Sequence, residues 1–279
     1  MNSSVEPPHG TKGVEYVMLW VLVTSLVLGC ALLTGVAWFG IPVLLRGLQN
    51  RALQSRCEAE KVIALTFDDG PSPEVTPRVL DLLDELQVKA TFFMIGERVK
   101  QNPALAREVM SRGHEVAAHS MRHLDAWKVS PHRGVKDVAD GIRALQEQSL
   151  NPIFYRPPKG RATVGSIFQS LRSGCRPLWW THDSGDTGYT PGRSKLKLSR
   201  FLKHAKHYPL TKQQIESMLE PANRTPWLTE VAEQGGVVLF HDAPRECAEL
   251  VELTMHATRD LVETARKKGT GFVSASALR

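Results

Sequence analysis

Hydrophobic and polar positions change their pattern sharply along this chain. From Tyr16 to Leu45 there are 30 consecutive residues without a formal charge. About 20 apolar residues cross a bilayer core as a helix, and the aromatic pairs Tyr16/Trp20 and Trp38/Phe39 suit headgroup depth at either end. The pattern predicts a tail (1–15), a single transmembrane anchor (16–45) and a linker (46–59). A cleaved signal peptide is the competing reading, because Gly35, Val36 and Ala37 offer small residues for cleavage. Against it, the run exceeds the usual apolar core of about 7 to 15 residues and only Lys12 charges its front.

Beyond the linker, two periods alternate. VIALTF (62–67) is a continuous apolar, β-branched run, as in a strand buried on both faces. In the segment after it, Val75, Val79, Leu82, Leu83 and Leu86 recur at helical spacing. Strands are predicted at 89–95, 115–119, 152–156, 177–181, 236–240 and 271–275, with helices at 103–112, 134–148, 164–173 and 246–268. Seven strands alternating with helices argue for a parallel α/β sheet. With no GxGxxG or GxxxxGKS loop, a barrel is favoured over a nucleotide fold. One domain, 60–279, is expected.

Charge alters this picture at one place. Residues 46–279 carry 34 basic and 27 acidic side chains, a net of +7, and the stretch 187–215 alone holds seven basic residues (Arg193, Lys195, Lys197, Arg200, Lys203, Lys206, Lys212) and no acid. This basic insertion is read either as a solvated helix or as a surface for anionic lipid. Nucleic acid is not expected as a partner, since no binding motif accompanies it, and no protein partner is predicted. Arg46, Arg51, Arg56 and Lys61 follow the anchor, which by the positive-inside rule favours a cytoplasmic domain, yet large domains translocate regardless, so the side stays open. Cys175 and Cys247 are a pair that could form a disulfide.

The chemistry gathers at strand ends. Asp68 and Asp69 close the first strand, and two adjacent carboxylates repel unless a cation compensates them. His119 and His123 follow the third strand; four residues apart, they fall on one side of a helical turn and can share an ion. One Asp and two His leave positions open for water and substrate, as at catalytic zinc sites. Further clusters end other strands: Arg156-Pro157-Pro158-Lys159-Gly160, Asp183-Ser184-Gly185-Asp186 and Phe240-His241-Asp242. In a barrel these converge on one mouth.

The series TFDDGP, HSMRH, RPPKG, DSGD and LFHD, in this order, resembles the polysaccharide deacetylase family, carbohydrate esterase family 4, over about residues 60–279. The resemblance implies a distorted (β/α) barrel of about seven parallel strands and metal-dependent removal of acyl groups, most often N-acetyl, from an amino-sugar glycan. It implies that Asp69, His119 and His123 hold a divalent metal, commonly zinc, with cobalt or nickel as alternatives. Asp68 would be the base, Arg156 its orienting arginine, His241 the acid and Asp186 the carboxylate that tunes it. Pro157, Lys159, Asp183 and Trp180 are expected to contact substrate. Two positions depart from the family pattern: Lys159 stands where an aromatic residue is usual, and Thr187 follows Asp186 where Trp or Tyr is usual. The expected substrate is a cell-wall polysaccharide such as peptidoglycan, or a polyprenyl-linked sugar in contact with membrane lipid. The alternative is a catalytically silent, membrane-anchored carbohydrate-binding relative.

Overall fold

A computed structural model describes residues 11–187, 211–243 and 248–278. The basic insertion lies almost wholly outside the described residues, as does Cys247. Cys175 is a buried thiol whose Sγ donates to the Pro152 carbonyl (3.1 Å).

Among the described residues the strands are β1 (Val62–Asp68), β2 (Thr91–Met94), β3 (Glu115–Ala118), β4 (Phe154–Tyr155), β5 (Arg176–Pro177), β6 (His182–Asp183), β7 (Gly236–His241) and β8 (Gly271–Phe272). They form one sheet in the order β5-β4-β3-β2-β1-β7-β6, with β8 beside the start of β1, and every pairing is parallel. The helices are α1 (Thr11–Glu60), α2 (Thr76–Glu85), α3 (Gly96–Gln101), α4 (Pro103–Ser111), α5 (Pro131–Gln146), α6 (Val164–Arg172), α7 (Lys212–Leu219), α8 (Pro221–Gln234) and α9 (Ala248–Lys267). The expected curled barrel is present. The sequence pattern missed α3, α7 and α8.

Alternation along the strands splits the core. Ile63, Leu65, Phe67, Phe92 and Phe240 pack beneath the outer helices. Ala64, Phe93, Ala117, Phe154, Leu178 and Val237 form the other cluster, and Leu53 and Cys57 of α1 belong to it. The second half of α1 therefore fills the concave face of the barrel.

Residues 46–59, expected as a linker, lie within α1, which runs to Glu60 with Pro42 inside it. The expected strand 177–181 is also divided. Its central residues, Leu178 to Thr181, leave the ladder and cross from β5 to β6. The backbone groups they expose are satisfied by α1: Gln49 Nε2 donates to Pro177 O (2.8 Å), Trp179 N donates to Gln49 Oε1 (3.0 Å), and Asn50 Nδ2 donates to Trp180 O (2.9 Å). Buried amides need partners, and here a helix supplies them where a flat strand would not.

Candidate active site

Register brings the first residues together. Asp68 ends β1 opposite His241 of β7 and Phe93 of β2. Asp68 is buried, and its Oδ1 accepts from Arg156 Nη1 at 2.7 Å. Arg156 has no exposed surface. It also donates to Thr66 Oγ1 (2.8 Å) and Leu178 O (3.2 Å), and its guanidinium lies 3.8 Å from the Phe93 ring centre. A bidentate-capable cation held on three sides fixes the orientation of the carboxylate it meets.

Asp69 turns away from Asp68 because its backbone is left-handed, with φ at 74°. Its Oδ1 faces His119 Nε2 (3.3 Å) and His123 Nε2 (3.2 Å). Ser120, His123 and Lys159 share that left-handed conformation, and such non-glycine residues persist where surrounding contacts enforce them. The contacts are visible. His123 N donates to Ser120 Oγ, Met121 N to Asp137 O, and Arg122 N to Asp137 Oδ1. Gly141 of α5 allows the approach, since a Cβ there would lie 2.2 Å from the Ser120 carbonyl carbon. The two histidines thus converge through a tight loop, and the helical turn inferred from their spacing is absent.

These three side chains fit a divalent metal. Their ligand atoms all lie within 4.8 Å of one another. Asp69 Oδ1 is buried and has no hydrogen-bond partner, which leaves an acceptor that a cation would satisfy. His119 Nδ1–H donates to the Arg156 carbonyl (2.8 Å), so Nε2 carries the lone pair that faces the cluster. Burial, reinforced by neighbouring His119, pushes His123 down to about 4, which keeps its imidazole neutral and able to ligate. Burial opposes charge on His119, but Asp68 and Asp69 outweigh it and raise its value. A mixed set of one oxygen and two nitrogens suits zinc, cobalt or nickel.

Across the mouth, His241 Nδ1–H donates to Asp186 Oδ1 (2.8 Å), so Nε2 is the ring nitrogen left for other contacts. Asp186 Oδ2 accepts from His241 N (2.9 Å) and Thr254 Oγ1 (2.8 Å). Thr254 on α9 was not foreseen from the sequence, where it is one helical threonine among others. Asp242 belongs to the Phe240-His241-Asp242 cluster of the sequence, which by itself assigns the residue no role. Burial first, and then the charges of Asp69 and Asp68, push its carboxyl up to about 7, while Thr76 Oγ1 donates to it at 2.5 Å.

The residues expected at the substrate side are placed as follows. Pro157 is buried and Lys159 is exposed on the loop after β4. Asp183 accepts from Gly185 N (3.0 Å), and burial raises its carboxyl. Trp180 is half-buried, with the Arg46 guanidinium 4.6 Å and that of Arg156 5.7 Å from its ring centre. A cleft beside the cluster is lined by Glu97, Arg98, Gln101 and Arg122, and Arg98 donates to the Asp69 carbonyl.

Comparison with known proteins shows the family and the fold. The polysaccharide deacetylase model matches residues 55–191. A peptidoglycan-N-acetylglucosamine deacetylase of Bacillus cereus is 31% identical over 220 residues, covering 78% of this chain and 88% of that protein. A chitooligosaccharide deacetylase of a Bradyrhizobium species is 40% identical over 127 residues, covering 44% of this chain and 58% of that one. The crystal structure of a peptidoglycan N-acetylglucosamine deacetylase in complex with an N-oxidanyl-benzamide superposes with a TM-score of 0.62 at 23% identity, covering 78% and 88% of the two chains. The chain belongs to the polysaccharide deacetylase family, carbohydrate esterase family 4.

Proposed function

We propose that this protein is a membrane-anchored, zinc-dependent hydrolase that removes N-acetyl groups from an amino-sugar glycan. As a deacetylase it acts on carbon–nitrogen bonds other than peptide bonds. The observation that carries the reading is the convergence of Asp68, Asp69, His119, His123, Arg156, Asp186 and His241 on one barrel mouth. The same convergence disfavours a silent carbohydrate-binding relative.

Asp69, His119 and His123 would hold the metal. Bound there, zinc supplies Lewis acidity to the acetyl carbonyl and lowers the pKa of a water. Asp68, fixed by Arg156, accepts the proton that the attacking water gives up. Deacetylation releases an amine, which leaves well only when protonated. His241 would deliver that proton from Nε2, while Asp186 at 2.8 Å from Nδ1 holds the ring. The base and the acid come from adjacent strands in register, so they flank one point.

The relatives named as peptidoglycan and chitooligosaccharide deacetylases support an N-acetylglucosamine-containing substrate. The N-terminal helix, long and apolar enough to span a bilayer, supports a single-pass anchor. It continues without a break into residues that pack inside the barrel, which disfavours a discarded leader.

The test is acetate release from N-acetylchitooligosaccharides by the zinc-loaded full chain, compared with Asp68→Asn. Turnover in the wild type, and its loss in Asp68→Asn with zinc still bound, are expected. Wild-type turnover in the variant would remove Asp68 from the mechanism.

A further inference from the structure

The direction in which α1 passes through the barrel fixes which way the mouth faces. Parallel strands run from the floor of a barrel to its mouth, and α1 can be followed level by level. At the floor, Gln54 Nε2 donates to Gln234 O (3.1 Å), just ahead of β7, and Lys61 N bonds back to Glu58 O at the start of β1. Midway, Gln49 and Asn50 meet the 177–180 segment. At the mouth, Arg46 Nη1 donates to Gly160 O (3.2 Å) and covers Trp180. Beyond that, Phe39 meets Trp127 edge-on (5.8 Å between ring centres), and Trp38 lies so close to Gly165 that a Cβ there would sit 2.7 Å from its ring. Trp127 and Gly165 belong to the connections that follow β3 and β4, on the mouth side.

The apolar segment 16–37 thus projects from the mouth side and not from the floor. Its 22 residues make roughly 33 Å of helix, close to the ~30 Å of a bilayer core. Arg46 lies eight residues past Trp38, about 12 Å along the axis. A second, separate observation agrees. Ile41, Leu44 and Leu48 continue the exposed apolar residues of α1 past the spanning segment, and α6, which packs against α1, also exposes Phe168 (64%) and Leu171 (51%). Isolated exposed apolar residues are ordinary, but a patch continuous with a spanning helix marks lipid contact. Around it the mouth carries Lys128, Lys159 and Arg161, with Arg161 over the Trp127 ring (5.4 Å). Aromatic and basic side chains of this kind belong at headgroup depth.

We propose that α1 docks the barrel mouth-first against the bilayer, so that the site takes its amino sugar from a lipid-anchored, phosphate-linked glycan in the same membrane and not from a soluble polymer. The inference rests on the deacetylase reading and narrows its substrate class. Pro42 interrupts the hydrogen bonding of α1, but the helix is held to the domain on both sides of it, by Phe39 on Trp127 and by Arg46 on Gly160. That keeps the mouth at one height, and a headgroup in the same bilayer then meets it at raised effective concentration. Arg161 is paired with Asp125 (2.5 Å), and the exposed Lys128 and Lys159 match the phosphates that join such a sugar to its lipid.

Two measurements on the full chain in phosphatidylcholine vesicles containing some phosphatidylglycerol decide it. The first reads orientation. Nitroxides at Lys128→Cys and Lys267→Cys, in a chain whose other accessible cysteines are serine, should differ. The label at 128 should respond to lipid-soluble oxygen, and the label at 267, near the floor, to a water-soluble nickel chelate. Equal water exposure at both sites overturns the orientation. The second reads the consequence. A long Gly-Ser insertion between Val36 and Ala37 leaves every docked residue in place but frees the domain from a fixed height. Turnover of vesicle-embedded polyprenyl-diphosphate N-acetylglucosamine should fall about tenfold or more, while turnover of soluble N-acetylchitotetraose stays within twofold. An equal effect on both substrates, or on neither, overturns the proposal. If the zinc-loaded wild type releases acetate from neither, the deacetylase reading itself fails, and the labels still judge the orientation.

Discussion

The role of α1 as part of the barrel leads to a quantitative expectation for Gln49. Its amide closes two hydrogen bonds to the 177–179 backbone, at 2.8 and 3.0 Å. In Gln49→Ala the Trp179 N–H and the Pro177 carbonyl lose their partner together. Trp179 is 2% exposed, so its amide cannot turn to water. A buried polar group left unpaired costs about 1–3 kcal/mol, and with Pro177 only half-buried the sum is about 2–4 kcal/mol. For a domain of this size each kcal/mol shifts Tm by about 2–4 °C, so a fall of roughly 5–15 °C is expected. Thermal unfolding in detergent, followed by tryptophan fluorescence, reads it, since Trp179 and Trp180 lie at the contact. Gln49→Glu retains an acceptor for Trp179 N but sets a second oxygen against Pro177 O, and it should not restore stability. Leu48→Ala, half exposed on the same turn, should move Tm by no more than ~2 °C, the equivalent of about 0.5 kcal/mol. A Gln49→Ala protein that melts within about 1 °C of wild type would show that α1 is an appendage and refute the docking argument.

Zinc should stabilise the fold by about 2.7 kcal/mol at one hundred times Kd, read as a concentration-dependent rise in Tm, and Asp69→Ala should abolish that shift in calorimetry. His241→Ala should lower kcat by roughly 10² to 10⁴ with a smaller change in KM, as for a positioned general acid. Steady-state kinetics on a soluble oligosaccharide checks it, and a pure KM effect would reassign His241 to binding. Burial pushes His114 down to about 4, so the native state favours its neutral form. The stability this confers is complete above the ordinary value near 6.5 and is lost as pH falls from 6.5 through 4, by at most about 3 kcal/mol. His114→Phe should flatten the urea midpoint across that window, and an unchanged slope would exclude the residue. Arg46→Met removes a cation from the Trp180 face, worth about 0.5–2 kcal/mol, and should lower kcat on a soluble substrate about 2- to 30-fold without changing zinc affinity.

Legibility in the sequence followed the range of the interactions. β1 was plain because a strand buried on both faces reads as unbroken apolar sequence, and burial covers all but its first residue. The polar clusters were plain because strand ends in a parallel barrel must share a mouth. His119 and His123 were paired correctly for a reason the structure replaces: a loop pinned by Asp137 and Ser120, not a helical turn, brings them together. Asp137 itself was invisible, because one acid in an amphipathic helix looks solvated until the loop it caps is known. Gln49 and Asn50 were invisible for the same reason. Their partners are backbone groups some 130 residues away, and no local pattern records a side chain that completes a distant strand. The segment 96–101 lacks the length for a helical period to show.

The polar residues of α1 and Asp68, the proposed base, form one packed unit. Arg46 covers Trp180, Arg156 approaches the same indole and stacks on Phe93, and Arg156 holds Asp68. Two guanidiniums beside one indole repel each other, and each is held in place by its own acceptors: the Gly160 carbonyl for Arg46, and Asp68, Thr66 and the Leu178 carbonyl for Arg156. Leu178 lies in the same 177–180 segment that Gln49 and Asn50 secure. A shift of α1 along its axis would therefore move the segment, the indole and the arginine together, and with them the Asp68 carboxylate proposed as the base. Misplacement by about 1 Å can cost a catalytic site roughly 10²-fold. The long apolar N-terminal helix is thus also packed into the candidate site, which is why its residues from Arg46 onward cannot be treated as a tether.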